Sequence, residues 1–199
     1  MRNPSPTLGV TSRQALLIPK NRDSDMLGSM PGAFHSILTP LGDLGAVFGE
    51  DGKLLRLIRF HGALPAMAEG PAPKSLPFLK RQLDAYFSGN LRDFNIPMQI
   101  EGTDFQRRVW KELQKIPYGQ AISYLELARR LGDEKCIRAA ARANGANPIS
   151  ILIPCHRVIG SDGSLVGYGG GLDMKEFLLR LEGVLPKAPA QPRLPLVWE

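Results

Sequence analysis

The chain has 199 residues, 43% hydrophobic and 22% charged, with a formal net charge of +6 and two cysteines. This composition excludes a fibrous or wholly disordered protein, and two cysteines cannot build a disulfide framework or a four-thiolate zinc site. No apolar run approaches the roughly 20 residues that a membrane span needs, and Met1-Arg2-Asn3-Pro4 opens no signal peptide. A cytoplasmic location, free thiols at Cys136 and Cys155, and a polyanionic partner are therefore expected.

In chain order, residues 1–30 mix proline, serine, glycine and charge without periodicity and read as a loose tail. Residues 31–101 read as a small sheet-and-helix domain. A strand around Ser36 to Thr39 precedes two apolar runs, Leu44 to Phe48 and Leu54 to Phe60, which flank Glu50-Asp51-Gly52-Lys53 as a hairpin with an Asp-Gly turn. Leu79, Leu83, Tyr86 and Phe87 then recur at helical spacing, and Gly89 stops the helix. Leu91 to Gly102 is expected to be a last strand and a linker.

Residues 102–185 are more regular and mostly helical, and the end from Pro186 to Glu199 is a proline-rich tail. Thr103-Asp104-Phe105-Gln106 fits a capping box, opening a helix with Phe105, Val109, Leu113 and Ile116 along one face until Pro117. Ser123 to Glu126 is a second capping box, before a short helix with Tyr124, Leu127, Ala128 and Leu131 inward and Gly132 as its stop. A third helix runs from Lys135 to Ala143, with Arg138 and Arg142 four apart on its outer side. The pair makes a helix-turn-helix pattern. Between residues 129 and 157 lie six basic side chains, including Arg129, Arg130, Lys135 and Arg157, against the two acids Asp133 and Glu134. A solvated arginine face would explain a lone pair, but Ala139, Ala143, Gly145 and Ala146 also leave the helix thin. A thin helix can approach a minor groove about 6 Å wide, against about 12 Å for the major groove.

Ile151 to Ile153 suits a buried strand, and Pro154, Cys155, His156 and Arg157 follow it. A lone buried thiol is usually a small hydrophobe. Here a histidine and an arginine, both costly to bury, stand beside it and need a partner or a task. A thiol attacks as the thiolate, so it needs a base, and His156 is the candidate. On an extended strand His156 reaches the sulfur only by a bend or through a water, and it needs an acceptor on its other nitrogen. A further helix, Asp173 to Glu182, carries Met174, Phe177, Leu178 and Leu181 inward and ends at Glu182, an ordinary helix-end acid or the missing carboxylate. Gly167 to Gly171 is a glycine-rich loop able to close on a planar ligand.

The stretches Gly102-Thr103, Phe105-Gln106, Val109-Trp110, Ile116 to Gly119, Ser123-Tyr124, Leu127-Ala128, Arg138-Ala139, Asn147-Pro148, Ile153 to Ile159, Gly163, Gly167-Tyr168, Gly170-Gly171 and Leu178-Leu179 with Glu182 occur in order over about eighty residues. Together they resemble the catalytic domain of the O6-alkylguanine-DNA alkyltransferases, the methylated-DNA–protein-cysteine methyltransferases. Thr39 to Gly42 before the hairpin is similar to the family's small N-terminal domain, more loosely. The resemblance implies an α/β (α+β) fold, with a sheet-plus-helix domain before a mostly helical domain carrying the helix-turn-helix. It implies DNA repair in which Cys155 irreversibly takes the alkyl group from O6 of guanine, or more slowly from O4 of thymine, once per molecule.

Carried over, His156 activates Cys155 through a water, Glu182 orients His156, and Asn147 braces the active-site turn. Tyr124 crowds the phosphate, helps rotate the nucleotide and donates a proton toward the departing guanine. Arg138 fills the gap left in the duplex, while Ser123, Ala139, Arg142 and Ala143 complete the DNA-facing surface. Ser150, Val158, Tyr168, Gly169 and Gly170 line the base pocket, together with Ser123. No metal or organic cofactor is implied; the partner is double-stranded DNA with alkylated bases, met by a monomer with no membrane and no obligate protein partner. Ala140-Ala141 replaces the family's usual Val-Gly, Ser150 stands where some members have proline, and no N-terminal zinc-binding cysteine cluster is present. Two other readings compete: a damage sensor without turnover, which the intact Cys155 opposes, and a hydrolase built from Cys155, His156 and Glu182, which lacks an identifiable oxyanion hole.

Overall fold

The structure, a computed structural model, describes residues 34–60 and 70–186; the expected N-terminal tail and nearly all of the proline-rich end lie outside them. Strands β1 (Phe34–Thr39), β2 (Gly42–Phe48) and β3 (Leu55–Phe60) form an antiparallel sheet in that order. Thr39 closes the first turn through its hydroxyl, which donates to the Gly42 carbonyl at 2.7 Å and accepts from the Leu41 amide at 3.2 Å. The β2–β3 turn is the expected one, with Gly52 at φ +65° and the Gly49 amide donating to the Leu54 carbonyl at 2.8 Å. Leu44 faces Phe60 and Ala46 faces Ile58, and all four are buried.

Helix α1 (Leu76–Phe87) starts with a proline in its first turn and lays Leu79, Leu83 and Tyr86 into the core. Twelve residues make a marginal helix in isolation, so burial holds it, each leucine contributing about 1.5–3 kcal/mol. The strand expected between Leu91 and Gly102 is reduced to one bridge from Met98 to Leu55. Pro97 explains this: it offers a carbonyl, which accepts from the Leu55 amide at 2.9 Å, but has no amide to extend a ladder.

Helix α2 (Asp104–Leu113) has both halves of its capping box, Gln106 amide to Thr103 Oγ1 and Thr103 amide to Gln106 Oε1. The two-residue strand β4 (Ile122–Ser123) leads into α3 (Tyr124–Arg130). Here the box is only half formed: Ser123 Oγ accepts from the Glu126 amide, but the Glu126 carboxylate turns to Arg130 at 3.0 Å. A 3₁₀ turn (Glu134–Cys136) precedes α4 (Ile137–Gly145), completing the helix-turn-helix. The inward side of α4 is Ala140, Ala143 and Asn144. Ala143 is thus buried, with its carbonyl taken by Trp110 Nε1 at 2.8 Å, and adds nothing to the outer face expected of it.

The segment Ile151 to Ile153 is not a strand. Ile151 takes φ +73°, an outlier for a β-branched residue, and the chain folds into tight turns before a 3₁₀ turn over Cys155–Arg157. Strand β5 (Val158–Ile159) pairs in parallel with β4, and α5 (Leu172–Leu181) closes the described chain. On α5 the inward residues are Lys175, Leu178 and Leu179, whereas Phe177, expected inside, is 38% exposed. One hydrophobic cluster runs from Ile37 and Leu83 through Trp110 to Leu178, so sheet and helices share a core. No helix among the described residues is long and apolar enough to cross a membrane.

Candidate active site

The turn that presents Cys155 is built by Asn147. Its Oδ1 accepts from the Ile149 amide at 3.0 Å and its Nδ2 donates to the Ile153 carbonyl at 2.8 Å, clamping the loop at both ends. The sheet holds the same loop: the Ile58 amide donates to the Pro148 carbonyl and the Ser150 amide to the Ile58 carbonyl, both at 3.0 Å. Strain at Ile151 is therefore over-determined by its surroundings, as at many functional turns. Because Cys155, His156 and Arg157 lie on one 3₁₀ turn, their side chains do not alternate as strand neighbours would.

His156 and Arg157 converge on Glu182, which caps α5. His156 Nε2 lies 2.9 Å from Glu182 Oε1, while Arg157 donates Nε to Oε2 at 2.8 Å and Nη2 to Oε1 at 2.9 Å. Arg157 Nη1 donates to the Ile116 carbonyl at 2.6 Å. All three side chains are buried. Burial pushes Glu182 upward, but donation from His156 and Arg157 outweighs it and holds the carboxyl at about 2. A carboxylate there must accept, so His156 presents Nε2–H to it and the neutral ring carries its lone pair on Nδ1. Burial, together with the Arg157 and Lys175 charges, lowers His156 more than Glu182 raises it, keeping the imidazole neutral. Nδ1 is buried with no hydrogen-bond partner among the described residues.

Cys155 is 5% exposed and lines a cavity of about 50 Å³ with Arg59, Phe60, Asn144, Ser150 and Tyr168, closed by the Gly167 to Gly169 backbone. Burial pushes its thiol up, and Asn147 and the Lys175 ammonium pull only partly back. Both shifts favour a neutral thiol and a neutral imidazole. Of the expected pocket residues, Ser150, Tyr168 and Gly169 reach the cavity. Gly170 sits behind it, where a Cβ would lie 2.5 Å from Phe60 Cδ2, and Val158 is buried with its carbonyl turned to Lys175. Tyr124 is half-buried, its hydroxyl accepting from Asn144 Nδ2 at 3.3 Å. Ser123 is occupied as a helix cap.

On the outer face, Arg138 and Arg142 are exposed and Ala139 is partly so, with no ion pair to either arginine among the described residues. Arg129 and Arg130 pair with Glu134 and Glu126, and Arg157 points inward, so the cationic surface is narrower than the sequence count suggests.

Lys175 carried no signal in the sequence. It is fully buried, donates to the Val158 and Val166 carbonyls at 2.6 and 2.7 Å, and lies 6.0 Å from the Tyr124 ring centroid. It ties the strand after Cys155 to the glycine loop. Burial lowers its ammonium to about 8. Two effects oppose in Lys175→Met: loss of a buried charge relieves about 3 kcal/mol, while two orphaned carbonyls cost about 1–3 kcal/mol each. The net change in global stability should therefore lie between about 1 kcal/mol of gain and about 3 kcal/mol of loss, while amide exchange over residues 164–171 rises about tenfold as the loop loosens. Hydrogen exchange read by mass spectrometry checks both.

Helix-turn-helix, shared sheet core and one buried cysteine with its own histidine and carboxylate define the class: a two-part α+β protein built around a thiol. Residues 104–184 match the family model of the 6-O-methylguanine DNA methyltransferase DNA-binding domain. The chain is 52% identical to the methylated-DNA–protein-cysteine methyltransferase of Methanosarcina mazei over 152 residues, 75% of this chain and 96% of that protein. It is 54% identical to the Methanosarcina acetivorans protein of the same name over 103 residues, 52% of this chain, and spans 66% of that relative's length. The crystal structure of Mycobacterium tuberculosis OGT in complex with DNA aligns with TM-score 0.71 and 43% identity, covering 79% of this chain and 96% of that one. The chain belongs to the methylated-DNA–protein-cysteine methyltransferase family.

Proposed function

We propose that this chain repairs alkylated double-stranded DNA by moving the alkyl group from O6 of guanine, or more slowly from O4 of thymine, to its own Cys155. The observation that carries the reading is the buried Cys155 on one turn with a buried His156, whose ring is oriented by Glu182, itself held by Arg157. His156 Nδ1 takes the thiol proton, through a water. The thiolate then attacks the alkyl carbon; the S–C bond forms, the C–O6 bond breaks, and guanine departs as an anion. The Tyr124 hydroxyl donates toward that anion, lowering the barrier where charge develops. Asn144, donating to the phenol oxygen, leaves the phenol proton free to point at the base. The thioether is stable, so each molecule acts once.

A stacked base cannot deliver its O6 substituent to a sulfur inside a core, so the nucleotide has to leave the stack at a cost of a few kcal/mol. The cavity of about 50 Å³ lies far below the roughly 300 Å³ of small-molecule sites, so the glycine loop opens as the base enters. Arg138 on α4 occupies the vacated space, and Arg142 with Lys135 binds phosphates in a salt-dependent, sequence-independent way. The relative solved in complex with DNA supports this partner.

Arg138→Ala should slow repair of a normally paired lesion about tenfold more than repair of a mispaired one, since a mismatch has already lost part of the stacking. Equal slowing of both, in single-turnover assays, would remove Arg138 from that role. The reading as a whole is tested by a duplex carrying O6-methylguanine with a labelled methyl carbon: the label passes to the protein fraction, and a label that stays on DNA or appears as methanol refutes it.

A further inference from the structure

Tyr86 lies on α1, 96 positions before Glu182, yet its hydroxyl donates to Glu182 Oε1 at 2.7 Å. The residue is fully buried, and Phe94, Phe87 and Tyr118 surround its ring at centroid distances of 5.2, 5.4 and 6.1 Å. The Glu182 carboxylate therefore meets four donors: Tyr86, His156 Nε2 and Arg157 Nη2 at Oε1, and Arg157 Nε at Oε2. A carboxylate offers about four acceptor sites, two on each oxygen, so three donors crowd Oε1 and compete for its charge. Three of the donors belong to the Cys155 turn, and Tyr86 comes from the sheet-and-helix half of the chain.

We propose that Tyr86 is a positioning residue of the Cys155 site, its hydroxyl fixing Glu182 against His156 and limiting how far that carboxylate draws a proton onto the imidazole. The inference rests on the reading of His156 as the base for Cys155. A base must enter the reaction unprotonated. Each donor that shares Glu182 spreads the carboxylate charge, and without Tyr86 more of that charge would act on His156 and favour imidazolium.

The groups facing the pair come from every side: Tyr86 on α1, Tyr118 before β4, Cys155 and Arg157 on the turn itself, Tyr168 on the glycine loop and Lys175 on α5. Glu182, held at about 2, stays ionised through neutral pH, and Lys175, near 8, titrates on the alkaline side. The acid limb of the rate profile is therefore left to His156.

In Tyr86→Phe the acid limb should move to higher pH, with methyl transfer slowed about threefold to tenfold at pH values on that limb and unchanged at alkaline pH, the range one lost hydrogen bond supplies. Replacing Tyr86 by 3-fluorotyrosine keeps the ring and strengthens the donor, so the limb should move the opposite way. Phe94→Leu trims the same aromatic cluster without touching Glu182 and should lower Tm while leaving the limb in place. Each profile is taken twice, with methyl transfer from an O6-methylguanine duplex and with Cys155 carboxamidomethylation by iodoacetamide read by peptide mass. Limbs that coincide in all four proteins, or a Tyr86→Phe rate reduced equally at every pH, overturn the proposal. Failure of the duplex arm in the wild-type chain would instead refute the repair reading, while the iodoacetamide arm still decides the part played by Tyr86.

Discussion

Glu182→Gln is expected to lose about 3 kcal/mol of folding stability at neutral pH and most of its alkyl transfer. The carboxyl is held at about 2 against an ordinary value of 4.5, and that displacement corresponds to about 3 kcal/mol. Removing one member of a buried pair costs a similar 3–5 kcal/mol, because Arg157 would keep its charge in the core with a neutral partner. A depressed carboxyl stabilises the fold above its unfolded value and loses that contribution as pH falls toward the folded one. The gap between wild type and variant should therefore be full above about pH 4.5 and shrink as pH falls toward 2. Denaturant unfolding at pH 7 and pH 3 measures it, and a gap that is absent at pH 7 or constant with pH would show that Glu182 is not the ionised hub of the site.

Cys155→Ser should abolish methyl transfer altogether while leaving DNA binding within about twofold. The hydroxyl is close in size to the thiol, so the Asn147 clamp and the 3₁₀ turn persist. A serine at this position would keep the neighbouring His156 but lacks the nucleophilicity of sulfur. The exposed arginines of α4 are untouched, and the salt dependence of binding, set by phosphate contacts, should match wild type. Fluorescence anisotropy on a duplex with O6-methylguanine, beside a transfer assay on the same sample, separates the two properties. Residual transfer in this variant would assign the chemistry to another group.

Local signals carried much of the fold into view. The β2–β3 hairpin, the capping box of α2 and the glycine stops after α1 and α3 depend on neighbouring residues, and the structure has each of them. Where tertiary contacts decide, the sequence was silent or pointed elsewhere. Ile151 to Ile153 has the composition of a strand, but Asn147 and Ile58 bend it into a turn that composition cannot show. Nothing around Lys175 distinguishes it from a solvated helix lysine, since its acceptors are backbone carbonyls of Val158 and Val166. By spacing alone Glu182 is an ordinary helix-end acid, paired with His156 only through the family resemblance; Arg157, 25 positions away, and Tyr86, 96 positions away, are further partners that spacing could not show. The Cys-His-Arg run was conspicuous because polar groups stood in an apolar setting; what satisfied them was not local.

The most direct measurement of the central claim is intact mass and peptide mapping of the protein after mixing with a limiting series of O6-methylguanine duplex. The account predicts a gain of one methyl group, on Cys155, in one-to-one proportion to repaired base, with repair stopping when the protein is spent. Repair that continues beyond one equivalent, or a methyl group found on Cys136, would contradict it.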